Sequence, residues 1–189
     1  DSLAQLLEIA RSEVRLHDVP LESAALWLPR FESIAKLFIA WDASRSADVV
    51  KSLSEVEGRV AVGESGFQLR ARADRIDAMV DGRLSIFDYK TGTQPSANQA
   101  RTLSPQLPLE GVIAQRGGFE GVPAAEIGDL AFVRLRPNDR LKVDPLASRG
   151  DSAQAISQKA LRELEAHVSA YRNPEQGYLS RYAPARQAD

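Results

Sequence analysis

Hydrophobic spacing changes period twice along this chain, and the changes delimit its elements. Over residues 2–15, Leu3, Leu6, Leu7, Ala10 and Val14 recur at helical intervals, and Pro20 stops the pattern. A second helical stretch, residues 30–46, aligns Phe31, Ile34, Leu37, Phe38 and Trp41 on one face, with Pro29 in a first-turn place. That spacing makes Phe38 and Trp41 packing residues rather than ligand contacts. From Val56 the period falls to two: Val56, Gly58, Val60 and Val62, then Phe67, Leu69, Ala71 and Ala73 across Gly63-Glu64-Ser65-Gly66. Residues 67–79 continue to Asp81-Gly82 and a third strand follows at 83–90, so residues 56–90 read as a three-stranded antiparallel meander. Helical turns return at 96–101. Ser104 is placed to cap a further helix with Pro105 as its first residue, Pro108 in its first turn and Gly117-Gly118 at its end. Residues 127–135 form another strand burying Leu130, Phe132 and Val133, and residues 152–172 an amphipathic helix on Ile156, Ala160, Leu164, Val168 and Tyr171. The order α, α, βββ, α, β, α predicts an α/β fold, a central mixed sheet flanked by helices. There is no internal repeat; residues 1–172 read as one domain and 173–189 as a tail or linker.

Composition narrows the classes. The chain has 189 residues, 43% hydrophobic and 26% charged, which suits a globular domain and excludes general disorder. No run approaches 18 apolar residues, and the opening DSLAQLLEIA lacks the blocks of a secretory signal, so neither a membrane partner nor export is expected. With no cysteine, disulfides, thiolate zinc and iron–sulfur clusters are excluded within these residues, and a cytoplasmic location is expected. Met79 is the only methionine and the chain does not begin with one, so it reads as a piece of something longer. A net charge of -2 argues against a free-standing nucleic-acid binder but not against a DNA-processing module inside a larger complex. Lysine is scarce among the 24 cations, so each of Lys36, Lys51, Lys90, Lys142 and Lys159 invites inspection.

One of them stands beside two acids. Arg70-Ala71-Arg72-Ala73-Asp74-Arg75-Ile76-Asp77 is followed on the partner strand by Asp88-Tyr89-Lys90-Thr91-Gly92. Pairing Asp74 with Asp88 leaves the loop Val80-Asp81-Gly82, puts Gly82 where a left-handed residue is wanted, pairs Ile76 with Ile86 and Ala78 with Leu84, and sets Arg72 opposite Lys90. A two-residue loop would instead set Asp77 against Ile86 and Arg75 against Asp88, a poorer match of polarity. In the first register two carboxylates and one ammonium share a face. Carboxylate oxygens suit a hard cation such as Mg²⁺, and a neighbouring lysine can orient the attacking water and offset charge developing on a phosphoryl group.

These segments together resemble the PD-(D/E)xK nuclease superfamily in its RecB-like branch, and the stretch Ser104-Pro105-Gln106-Leu107-Pro108-Leu109-Glu110 is similar to that branch's glutamine-bearing helix. The resemblance is strongest over residues 56–112 and narrows to the C-terminal nuclease domain of AddB-type subunits of double-strand-break repair helicase–nucleases. It implies a restriction-endonuclease-like fold. It also implies Asp74 and Asp88 as metal-binding carboxylates, the carbonyl of Tyr89 as an additional ligand and Lys90 as the catalytic lysine. Glu57 matches the acidic position of the first strand, Gln106 the glutamine beside the site, and Arg75 and Asp77 belong to the motif, where an ion pair between them is an equal reading. The implied cofactor is Mg²⁺, with Mn²⁺ as substitute; the implied partners are DNA, an AddA-type helicase–nuclease subunit and the remainder of the polypeptide. The DNA path is expected over Arg70 and Arg72, because an acidic protein needs a localised basic stripe.

Two departures qualify this. The family's upstream helix carries a metal-associated His or Glu in a Gly-x-x-x-His-type turn, and no such motif occurs here; His17 and His167 stand in other contexts. The chain is therefore expected to begin after that helix and to be a weak or inactive nuclease by itself. The four cysteines that some AddB-type domains use for an iron–sulfur cluster are also missing. The expected activity is metal-dependent hydrolysis of DNA phosphodiesters in break repair and recombination. The rival is a non-catalytic nuclease-like module that binds DNA or serves as scaffold.

Overall fold

The computed structural model describes residues 2–64, 66–92, 96–102, 104–136, 141–148 and 150–177, and opens with two helices, α1 (Ser2–Leu16) and α2 (Leu21–Arg45). The stripe Leu3, Leu6, Leu7, Ala10 and Val14 is half-buried along α2, and no residue of α1 is fully buried. The second helix begins nine residues before the expected start: Pro20 precedes its first turn and Pro29 lies inside it. A proline inside a helix removes one backbone hydrogen bond. Here Phe38 and Trp41 anchor the C-terminal half instead, their rings 5.7 Å apart, with Trp41 5.5 Å from Phe87 and Phe38 5.7 Å from Tyr89.

Five strands follow in one sheet, in spatial order β1-β2-β3-β4-β5: β1 (Val49–Val62), β2 (Phe67–Met79), β3 (Leu84–Lys90), β4 (Ile127–Arg134) and β5 (Lys142–Pro145). The first three are the antiparallel meander, beginning at Val49 rather than Val56; β4 runs parallel to β3, and β5 returns antiparallel to β4. The sheet is thus mixed, as expected, with a fifth strand too short to show an alternation of its own. Ser65 of the first hairpin turn and residues 178–189 of the expected tail lie outside the described residues.

The parallel step needs a crossover, and it carries α3 (Ala97–Thr102) and α4 (Gln106–Gln115). Pro105, not Ser104, is the N-cap of α4, with no side-chain cap, so the expected cap is displaced by one residue. The last helix, α5 (Ala153–Ala170), is capped by Ser152, whose side chain accepts the N–H of Ala155 at 3.1 Å. Gly111 lets α5 come close: a Cβ there would collide with the Ser157 hydroxyl.

The sheet is covered on both faces, so β3 and β4 alternate between two cores. Leu84, Ile86, Leu130 and Phe132 join Ile76 and the residues of α4 and α5 in one cluster; Phe87, Ala131 and Val133 join Trp41 and Tyr89 in a second, beneath α2. Strands β1 and β2 run far beyond β3 as a two-stranded ribbon, and their alternation reverses midway. Leu69, Ala71 and Ala73 face the first core, but so do Ile76 and Ala78. The reversal falls where the paired positions pass from Ser54↔Arg75 to Val56↔Ala73, skipping Glu55 and Asp74. Glu55 adopts φ +55°, a left-handed conformation that costs energy for a residue with a side chain.

Candidate active site

The site lies where the ladder between β2 and β3 ends. Pairing runs Ala78↔Leu84, Asp77↔Ser85, Ile76↔Ile86 and Arg75↔Phe87, the register expected from the turn, with Gly82 at φ +81°. One step further the ladder gives way to a side chain: Asp74 Oδ2 accepts the backbone N–H of Tyr89 at 2.9 Å. The carboxylate thereby reaches across β3 between Asp88 and Lys90.

Asp88 and Lys90, two residues apart on β3, share a face. Lys90 Nζ lies 3.0 Å from Asp88 Oδ1 and 2.7 Å from Oδ2, and 5.7 Å from the centre of the Phe132 ring on β4. From the opposite side α4 contributes Gln106, whose Nε2 donates to Asp88 Oδ1 at 3.3 Å and, one helical turn on, to Glu110 Oε1 at 3.0 Å. Asp88 is 2% exposed and Glu110 1%. Glu110 Oε2 is buried with no hydrogen-bond partner among the described residues.

Burial pushes the Asp88 carboxyl above its ordinary range; Lys90 pulls it back and the negative charge of Asp74 pushes it further up. The same forces act on Glu110 with less relief. Burial raises it to about 7, the Gln106 hydrogen bond opposes the rise, Asp88 and Asp74 add to it, and Lys90 opposes it more weakly. Asp88 and Asp74 thus both press on the Glu110 carboxyl, and among the described residues the Lys90 ammonium opposes them.

The donor set suits a hard divalent cation: carboxylate oxygens, with positions left for water and a substrate oxygen. Among the described residues no three His, Cys, Asp or Glu side chains stand together as a ready metal cage. The carboxylates of Asp74 and Asp88 are acceptors of the kind such an ion takes, and the Gln106 amide bridges Asp88 to Glu110.

Other expected residues fall elsewhere. Arg75 points to the far face of the sheet, where its Nε meets Asp77 Oδ1 at 2.7 Å and its Nη2 meets Asp42 Oδ1 at 2.7 Å, so the ion pair within the motif is the observed arrangement. Burial alone would lower the Arg75 guanidinium, but its bonds to Asp77, Tyr89 and Asp42 hold it up. Glu57 is exposed and paired in register with Arg72, outside the carboxylate cluster. Arg72 does not stand opposite Lys90: the alternation reverses at Asp74, the β2–β3 ladder ends at Arg75, and Arg72 forms an exposed ion pair with Glu55 at 3.1 Å. Arg70 and Arg72 line a depression of about 750 Å³ on the ribbon with Arg59, Glu57 and Glu120. His17 is paired with Glu13 on α1, and His167 rests against Tyr171 on α5.

Two acids, one on the ribbon and one beside the site, were not singled out from the sequence. Glu55 stands opposite Asp74 at the break in pairing, and only a backbone angle reveals it. Glu110 left a trace: α4 reads Gln-Leu-Pro-Leu-Glu-Gly-Val-Ile-Ala-Gln, apolar nearly all round, so the one acid among its middle residues had to be buried or at an edge.

Residues 1–182 match the PD-(D/E)XK nuclease superfamily. The chain is 29% identical over 122 residues to an uncharacterised protein of Rickettsia bellii (strain RML369-C), covering 63% of this chain and 15% of that protein. A second, the uncharacterised protein RT0391 of Rickettsia typhi, is 28% identical over 122 residues, covering 63% and 14%. The chain therefore matches only about a seventh of the length of these relatives. Among solved structures it is similar to SSO0001, with 14% identity, a TM-score of 0.37, and coverage of 94% of this chain and 85% of that one.

Proposed function

The chain belongs to the PD-(D/E)XK nuclease superfamily, and from that premise we propose that it is a metal-dependent DNA nuclease module that hydrolyses phosphodiester bonds. The observation that carries this reading is the meeting of Asp74, Asp88 and Lys90 where the β2–β3 ladder ends. Asp74 and Asp88, with the carbonyl of Tyr89, would hold Mg²⁺ or Mn²⁺, which when bound would supply a Lewis acid for the phosphate and lower the pKa of water. Gln106 fixes the orientation of Asp88 through Oδ1. Lys90, held against Asp88, is placed to orient the attacking water and to offset charge gathering on the phosphoryl oxygens. Arg70 and Arg72, on the exposed ribbon beside Asp74, are the first candidates for contact with the DNA backbone.

The finer reading follows from the motif resemblance. This is the nuclease module of an AddB-type subunit, acting in the cytoplasm with an AddA-type helicase–nuclease partner in double-strand-break repair and recombination. No helix among the described residues is long and apolar enough to cross a membrane. A second reading, a non-catalytic module that binds DNA or serves as scaffold, is favoured by one observation: no third acidic or histidine group completes a metal cage among the described residues.

The test is DNA cleavage with Mg²⁺ by the full-length protein and its partner subunit. Lys90→Ala and Asp88→Asn each abolish cleavage, while helicase activity survives. Near-normal cleavage by either variant favours the non-catalytic reading.

A further inference from the structure

We propose that Glu110 is the third anionic group of the cation centre, set behind Asp88 and coupled to it through the Gln106 amide. This rests on the reading of Asp74 and Asp88 as cation ligands and adds a residue that the motif does not assign. Three observations converge on it. Glu110 is as buried as Leu107 and Val112 of α4, yet among the described residues its Oε2 has no hydrogen-bond partner, and a buried carboxylate left half-satisfied is retained at a cost that packing alone does not explain. Its other oxygen holds one hydrogen of the Gln106 amide while the second hydrogen of that amide is given to Asp88 Oδ1, so the position of one acid fixes the other. Asp88 and Asp74 both push its carboxyl up, and the Lys90 ammonium opposes them.

Such an arrangement is poorly balanced until a cation arrives. A divalent ion between Asp74 and Asp88 reverses the repulsion that Glu110 now feels. The Glu110 charge then favours the ion, and the unused Oε2 is left as an acceptor for the ion's hydration shell, which Mg²⁺ gives up reluctantly. Partners that orient and charge-balance ligands in this way are typically worth 10–100-fold in metal affinity. This also accounts for a site with no third ligand at bonding distance: the third charge is present on α4, one side chain removed.

The test is calorimetric titration of Mn²⁺ into the 189-residue chain, wild type beside Glu110→Gln, with Glu110→Met as a second variant and Asp88→Asn as control. Glu110→Gln keeps the volume and one acceptor but removes the charge. The expected result is a 10–100-fold weaker Mn²⁺ affinity for both Glu110 variants, with melting temperatures in the absence of metal at or above that of the wild type. Wild-type affinity in either folded variant overturns the proposal and leaves the Asp74 and Asp88 reading standing. A wild type that binds no Mn²⁺ overturns both.

Discussion

Two carboxylates on opposite faces of the sheet are equally buried and fare very differently. Asp77, 0% exposed, receives Arg75 Nε at 2.7 Å, Ser52 Oγ at 2.7 Å and Arg45 at 3.0 Å, so both oxygens are bound and two partners carry positive charge. Glu110, 1% exposed, receives one neutral amide on one oxygen and none on the other, and its charged neighbours are mostly negative. The Asp77 side of the sheet is a closed structural network: Arg75 also binds Asp42, and Arg45 and Arg75 lie over the Trp41 ring at 5.2 and 5.1 Å, tying α2 to the strands. The Glu110 side is open in the electrostatic sense, arranged around a charge it does not itself contain. A single stretch, Asp74-Arg75-Ile76-Asp77, serves both, its residues alternating between the faces. Burial alone therefore does not separate a scaffold acid from a site acid; the partners do.

The largest effect expected from breaking this contrast is on the closed side. Asp77→Ala removes the buried carboxylate shared by Arg75, Arg45 and Ser52 and leaves Asp42 as the remaining acidic partner of Arg75. It should destabilise the fold by about 3–5 kcal/mol in denaturant unfolding. A loss below about 1 kcal/mol would mean that the network is not what fixes α2.

On the open side the sign reverses. Glu110 has its native value raised from 4.5 to about 7, so below pH 4.5 it is protonated in both states and contributes nothing. Between 4.5 and 7 the unfolded chain ionises first and stability falls with rising pH; above 7 the loss is complete, at about 3 kcal/mol. Without metal, Glu110→Gln should therefore be more stable than the wild type at pH 8, by up to about 3 kcal/mol. The difference should shrink toward pH 4.5. Unfolding curves of the two proteins across that range check it, and a difference independent of pH would contradict it.

What was legible beforehand follows the same division. The register from Ala78↔Leu84 to Arg75↔Phe87 was legible because two apolar pairs and one glycine turn agree on it, and each is a local signal. The extrapolation to Arg72 and Lys90 failed because the β2–β3 ladder ends at Arg75↔Phe87, next to the break at Asp74 where Glu55 on the neighbouring strand takes φ +55°; no residue type announces that angle in a glutamate. The early start of α2 was hidden by Pro29, which reads as a first-turn residue and sits mid-helix. Asp74, Asp88, Lys90 and Gln106 stand close together where the β2–β3 ladder ends, whereas Glu110 depended on which side of a nearly all-apolar helix meets the strands.

The smallest effect marks the edge of both networks. The Arg72–Glu55 pair is exposed on both sides, so Arg72→Ala should change stability by less than about 1 kcal/mol. It should weaken DNA binding and flatten its salt dependence if the ribbon carries the backbone contact. Binding titrations at two salt concentrations separate the effects, and unchanged DNA affinity would move the DNA path away from the ribbon.

The central claim is that Asp74 and Asp88 together hold a divalent cation beside Lys90. The most direct measurement is the anomalous scattering of Mn²⁺ in crystals of the chain grown with the metal at neutral pH. The account predicts one anomalous peak bonded to oxygens of both Asp74 and Asp88, with Glu110 within reach of its hydration shell. A fully ordered site with no peak there, or a peak held by other residues, would contradict it.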